Sequence, residues 1–556
     1  MPTWLSLPHK IILAAALLAS PILASATDAG ISYNITINSS KTGEKIFFTV
    51  HEPSGIQNGR RYPLLLRGAG FGQARASARS SVQDYVDAGF GVIAFDQRGF
   101  GESETTITVM DPALDGRNLV EIVDWAEQRL NWLAYKGGKL RLGATGSSYG
   151  GGYQLSLLGV DPKQRLQAIV PQITWNDLSY SLTPGGVPKT AYDLALTAIG
   201  TAGSKAGFEP YITTMLAQGL LTNKISARDA DTLRYHSAKY FCDGVTRAGG
   251  VPARQFPKVD VLLMQGMYDA LFNVNEAWAN YQCLSKSGGD VRLMTYQFGH
   301  ILPSSPDGVA NVLPLPGTTM LSTKCGKVEA ITAEIAWLKA KLMDQPDAIK
   351  DLPKVCVALD SREDAIHMAT LPVGGSRFQV ARTVVTPSMA GIAPVAIPLY
   401  TTESDKVIAG IPTMNLDVSG VFGKLAQFGE PILFVGIGKL SPQGVIEPVG
   451  DQIRPIRGWG KHKIDLNGIG FRSAKGQTVY LLVHGAHPQF ASASSRLASP
   501  AAVVSGTVDL PVIGGIKAVA ISPLPTPIWV PAIAPVQNTV QTVQTVANTI
   551  KSWFRF

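Results

Sequence analysis

The pentapeptide Gly146-Ser147-Ser148-Tyr149-Gly150 fits the pattern G-x-S-x-G. In that pattern a sharp strand-to-helix turn lifts a serine hydroxyl clear of a sheet, and the glycines stand where a Cβ would clash. A chain with 56 glycines can produce the pattern by chance, so its flanks carry the weight. Lys139 to Thr145 reads as a strand, and Gly151 to Leu158 is compatible with a helix. A serine is a poor nucleophile until a base takes its proton, and the base needs an acid to fix its tautomer. Where such a turn sits on a helix-covered sheet, the chain order is serine, acid, histidine. Asp269 follows the expected strand Val259 to Met264, and His300 follows the expected strand Val291 to Tyr296. His236 competes as the base but stands among helical residues. Ser148, Asp269 and His300 therefore form the expected catalytic set, each just past a strand. The backbone N–H of Tyr149 and that of Phe71 or Gly72 are the expected donors to an oxyanion. The glycine-rich loop from Arg67 to Gly72 is not a dinucleotide fingerprint, because Gln73 stands where the third glycine belongs.

The elements that position these residues follow from periodicity. From about residue 31 to 345, β-rich runs alternate with helical patterns, which predicts an α/β domain with a mostly parallel sheet. Ile31 to Ile37 and Lys45 to His51 read as leading antiparallel strands, and Tyr62 to Arg67 and Gly91 to Asp96 as buried central ones. Helices are expected over Ala74 to Ala88, Asn118 to Trp132 and Val328 to Met343. Residues 172–258 break the rhythm with helical patterns and Gly/Pro interruptions, which predicts a helical cap over the strand ends. Beyond Pro353 short β-branched runs recur between Gly, Pro and Ser clusters, the texture of a β-sandwich of jelly-roll type. The division is 27–345 for the catalytic domain, 346–520 for the β-rich domain and 521–556 for a linker and tail. The linker holds Pro523, Pro525, Pro527, Pro531 and Pro535. In the tail, Val536, Val540, Val543, Ala547, Ile550 and Phe554 recur at helical spacing and could contact a membrane or a partner; docking on the parent domain is the expected outcome.

Composition excludes several classes. Hydrophobic residues make up 45% and charged residues 16%, ample for packed cores. The net charge of +8 is spread, with no run of like charges, so no nucleic-acid partner is expected. Eight His and four Cys without a C-x-x-C pair give no metal framework. Residues 1–26 carry His9 and Lys10, an apolar core from Ile11 to Ala19 and the small-residue triplet Ala24-Ser25-Ala26. They read as an export signal and predict a secreted or periplasmic protein. Removing them takes away Lys10 and no acid, leaving +7. An oxidising compartment lets Cys242, Cys283, Cys325 and Cys356 pair in three ways. Cys325 with Cys356 and Cys242 with Cys283 is the expected arrangement, since the first two flank one helix and the others bracket a strand and its helix. Each such bridge adds roughly 3 kcal/mol.

Four segments together carry a family resemblance: Phe95-Asp96-Gln97-Arg98-Gly99-Phe100-Gly101-Glu102-Ser103, the turn Gly146 to Gly151, Gly266-Met267-Tyr268-Asp269 and Gly299-His300. With them the chain resembles the Xaa-Pro dipeptidyl-peptidase and cocaine-esterase family of serine hydrolases. The resemblance implies an α/β-hydrolase domain with a helical cap and a C-terminal jelly roll. It also implies Ser148 as nucleophile, Asp269 as orienting acid and His300 as base, acting on a small ester or peptide without a cofactor. Family members often place a tyrosine hydroxyl in the oxyanion hole where this chain has Phe71, so the resemblance leaves a carboxylesterase beside a dipeptidyl-peptidase. From another class, a non-catalytic surface-binding protein on the same fold is the alternative.

Overall fold

The structure, a computed structural model, describes residues 30–302, 321–387, 393–423, 427, 429–441, 444–491, 493, 495, 501–514 and 528–529. The expected export signal and the helical-period tail lie outside these residues.

The first unit is built on a ten-stranded sheet. Its strands are β1 (Ser32–Asn38), β2 (Lys45–His51), β3 (Leu64–Gly68), β4 (Gly91–Phe95), β5 (Leu142–Ser147), β6 (Leu166–Gln172), β7 (Asp260–Gly266), β8 (Val291–Tyr296), β9 (Val355–Ala358) and β10 (Ala365–Met368). They lie in the order β1-β2-β4-β3-β5-β6-β7-β8-β9-β10. Pairing is parallel from β4 through β9 and antiparallel at both margins. All five residues of β4, Gly-Val-Ile-Ala-Phe, are buried, as an apolar run covered on both faces must be.

Helices α1 (Asp115–Arg129), α2 (Tyr149–Val160), α3 (Thr190–Gly203), α4 (Pro210–Thr222), α5 (Ala227–Tyr235), α6 (Val274–Ser285) and α7 (Ala330–Leu342) follow the chain. Of these, α3 to α5, with the short helices Leu178–Leu182 and Ala238–Asp243, fall in the stretch read as a cap. That stretch is tied to α6 near its start and again at Cys242. At the start, Glu276 accepts from the backbone N–H of Asp177 at 2.7 Å, and Asn176 Nδ2 donates to Asn280 at 2.9 Å. Further along, the sulfurs of Cys242 and Cys283 lie 2.08 Å apart, and those of Cys325 and Cys356 lie 2.00 Å apart elsewhere in the unit.

Three expectations need correction. The helix read over Ala74 to Ala88 is confined to a 3-10 turn at Arg79–Val82 and a short helix at Gln83–Asp87. The residues before it are non-helical: Arg75 gives its backbone N–H to Asp96 at 2.7 Å and its guanidinium to the same carboxylate. Strand β6 was not expected, Pro171 near its end having masked an otherwise buried run. Finally, the sheet does not stop at residue 345, because β9 pairs in parallel with β8 and β10 folds back on β9.

The second unit is a β-sandwich. One antiparallel sheet orders Ser376–Val385, Ala502–Leu510, Thr413–Gly420 and Gly460–Asp465. The facing sheet is built around Ile432–Leu440, Thr478–His484 and Val395–Thr401. Phe378, Leu416 and Val504 from the first meet Leu399, Val435 and Leu481 from the second in one core. The proline-rich linker adds a strand of its own, Ile528–Trp529, paired with Val395–Ala396. Among the described residues no helix is long and apolar enough to cross a membrane.

Thiol titration of the denatured protein without reductant is expected to find no free thiol, and four after reduction. One or more thiols before reduction would refute the two sulfur pairings.

Candidate active site

Ser148 occupies the turn between β5 and α2 with φ 58° and ψ −118°, a conformation L-residues rarely adopt. Its neighbours hold it there. Its N–H donates to the Gln172 carbonyl of β6 at 2.9 Å, and its carbonyl accepts from the Thr174 hydroxyl at 2.9 Å. The turn tolerates no bulk, since a Cβ at Gly146 would lie 2.6 Å from the Gly150 carbonyl oxygen. The side chain is thereby aimed off the sheet, as the G-x-S-x-G pattern requires.

The other two predicted residues arrive from the next strand ends. His300 Nε2 lies 2.8 Å from Ser148 Oγ, and His300 Nδ1 lies 2.6 Å from Asp269 Oδ2. Asp269 is completely buried. Its Oδ1 accepts the backbone N–H groups of Leu271 at 3.0 Å and Phe272 at 2.7 Å. Close approach is possible because position 299 is glycine, where a Cβ would stand 2.5 Å from that of Asp269. Serine, imidazole and carboxylate thus form one continuous hydrogen-bonded chain, the arrangement that passes a proton from a hydroxyl to a ring nitrogen.

Phe71 and Tyr149, the expected oxyanion residues, border the same cavity as Ser148, their rings meeting edge to face at 5.3 Å. The Tyr149 hydroxyl does not face that centre; it accepts the Met110 N–H at 2.8 Å. His236, the competing histidine, lines the same cavity near Asp111, and burial depresses its pKa to about 4. Among the described residues no group of three or more His, Cys, Asp or Glu could hold a metal ion.

Residues 43–302 match the X-Pro dipeptidyl-peptidase (S15) family. The matched stretch contains Ser148, Asp269 and His300 together with the cap. A shorter region of 142 residues is 31% identical to an Escherichia coli protein described as an uncharacterized 31.7 kDa protein in the traX-finO intergenic region. That alignment covers 25% of this chain and 46% of the other, so the chain spans about half the length of the curated relatives it matches. Among solved structures, a CocE/NonD family hydrolase from Staphylococcus aureus superposes with a TM-score of 0.60 at 13% identity, over 87% of this chain and 94% of that one. An alpha-amino acid ester hydrolase gives 0.55 at 14% identity, over 90% and 100%. An aminopeptidase from a marine sediment archaeon, Thaumarchaeota archaeon, gives 0.56 at 13% identity, over 90% and 99%. At such identities the likeness speaks for the fold: an α/β-hydrolase unit followed by a β-rich one. The S15 match covers the α/β unit of that fold and the cap set into it.

Sequence reading missed the residues that brace this chain of hydrogen bonds. Lys189, only 1% exposed at the start of α3, donates through Nζ to the carbonyls of Ala270 at 2.6 Å and Leu271 at 3.1 Å. Burial pulls its pKa down to about 8 against the attraction of Asp269 and Glu276. One helical turn on, the Tyr192 hydroxyl donates to the His300 carbonyl at 2.7 Å. From the sandwich, Gln452 Nε2 donates to the Asp269 carbonyl at 3.2 Å. The available signal was a lysine just before α3 and a tyrosine three residues on, which local pattern cannot tell from a solvated edge. Lys189→Met leaves two buried carbonyls without a donor and is expected to cost about 2 kcal/mol or more of unfolding free energy. Denaturant unfolding checks this, and a variant as stable as the parent would refute the bracing role.

Proposed function

We propose that this protein is an exported serine hydrolase that cleaves an ester or amide bond through an acyl-enzyme on Ser148. The observation that carries the reading is the unbroken chain from Ser148 Oγ through His300 to Asp269. His300 Nε2 takes the serine proton as Oγ attacks the carbonyl carbon, and Asp269 holds the resulting imidazolium. The carbonyl oxygen, now an oxyanion, receives the backbone N–H of Tyr149 and that of Phe71 or Gly72. His300 then gives its proton to the leaving group, and the C–O or C–N bond breaks. Water, deprotonated by the same nitrogen, releases the acid and restores Ser148. Export is supported by the two sulfur pairs at bonding distance, which persist in an oxidising compartment.

The S15 match favours release of Xaa-Pro dipeptides as the second reading within the same mechanism. Whichever bond is cut, Ser148→Ala and His300→Ala should each lower kcat by at least about a thousandfold, since removing one member disables the unit. A fluorophosphonate probe should label the parent once and the Ser148→Ala variant not at all. A folded parent that neither labels nor turns over p-nitrophenyl acetate would instead support the surface-binding alternative.

A further inference from the structure

A cavity whose lining is mostly apolar opens in front of Ser148. Its roof comes from the helical stretch over the strand ends: Leu196 of α3, Met215, Leu216 and Leu220 of α4, and Leu233 of α5 line it. The sheet side contributes Phe272 beside His300. A wall of this kind takes apolar surface out of water and has little else to offer a ligand.

The ionisable groups that line the cavity are Tyr149, Asp193, Tyr211 and His236. Burial raises the pKa of the Tyr149 and Tyr211 hydroxyls and lowers that of His236 to about 4. Asp193, on α3, is raised to about 8 by burial, against the attraction of Lys189, whose ammonium is engaged with the Ala270 and Leu271 carbonyls. No Lys or Arg lines the cavity among the described residues. A carboxylate entering here would meet no fixed positive charge, and a cationic amino terminus would shed its water against a mostly apolar wall whose one carboxyl, Asp193, holds its proton more readily than a surface aspartate; both are costly.

Resting on Ser148 as nucleophile, we infer that the substrate is an ester one side of which is a large, uncharged, apolar group lodged under the cap. The pocket then discriminates by buried apolar area, up to about fourfold for each CH₂ fully removed from water. It discriminates against a free amino group near the scissile carbonyl. Esterase action on apolar substrates, and not removal of dipeptides from a free amino terminus, is what the lining fits.

The full chain can be tested with two series. One is p-nitrophenyl esters from acetate to octanoate, which lengthens the acyl side. The other is acetyl esters of straight alcohols from methyl to octyl, which lengthens the alcohol side. In at least one series kcat/KM should rise about thirtyfold or more, and p-nitrophenyl octanoate should exceed its 2-amino counterpart about tenfold. Met215→Trp, which fills the roof, should cut the chain-length gain about tenfold, read as the ratio of the longest to the shortest ester in one preparation. A gain under threefold in both series overturns the inference, as does a preference for the 2-amino ester or for Xaa-Pro anilides, in each case with Ser148 still labelled by the fluorophosphonate. Absence of both labelling and turnover overturns the nucleophile assignment and the inference with it.

Discussion

The structure depends on keeping a fully buried carboxylate within 2.6 Å of an imidazole that is itself 2.8 Å from a serine, the outer two separated by more than a hundred residues. A carboxylate withdrawn from water is costly unless its oxygens are occupied. Here one oxygen takes two backbone N–H groups and the other takes the ring. Such bonds tolerate little displacement, so the loops bearing Asp269 and His300 cannot be left to their own flexibility. A parallel sheet fixes where they start. Lys189 and Tyr192 from the cap and Gln452 from the sandwich fix where they end. Both additions to the core domain therefore share in holding this hydrogen-bonded chain.

The same economy of polar groups runs beneath the serine. Glu334 of α7, almost completely buried, accepts from the Tyr85 hydroxyl at 2.8 Å, from the Gln172 amide at 2.6 Å and from the Thr145 hydroxyl. Thr145 precedes the nucleophile turn on β5, and the backbone of Gln172 receives the N–H of Ser148. A single acid thus ties a helix under the sheet to both strands that bear on the strained residue. Burial raises its pKa, so the network keeps a proton more readily than a surface glutamate would.

How much of this was legible in the sequence depends on range. Ser148, Asp269 and His300 each sit in a short glycine-marked motif just past an apolar run, so local pattern located them before any fold was known. The apolar strands β2 and β8 carry their own boundaries, and the observed limits coincide with those expected. The failures are non-local. The non-helical stretch before Arg79 goes with the pairing of Arg75 with Asp96, and β9 joins the first sheet only because β8 offers it an edge. Gly460–Asp465, a strand rich in charge, alternates exposed with half-buried residues and shows little apolar signal. Lys189 looks like any other lysine until the two carbonyls it serves are brought to it.

The roof of the cavity is moored to the domain at one helix. Asn176 bonds to Asn280 and the sulfur of Cys242 meets that of Cys283, so the excursion is pinned near its start and again at Cys242 to neighbouring turns of α6. An excursion with neighbouring feet behaves as an exchangeable cassette: its closure entropy grows only slowly with length, and its contents can lengthen or shorten without moving the sheet. Such a plan lets the shape of the chamber diverge while the chemistry beneath it stays the same, provided that each new roof still brings a donor down to the carbonyls of Ala270 and Leu271.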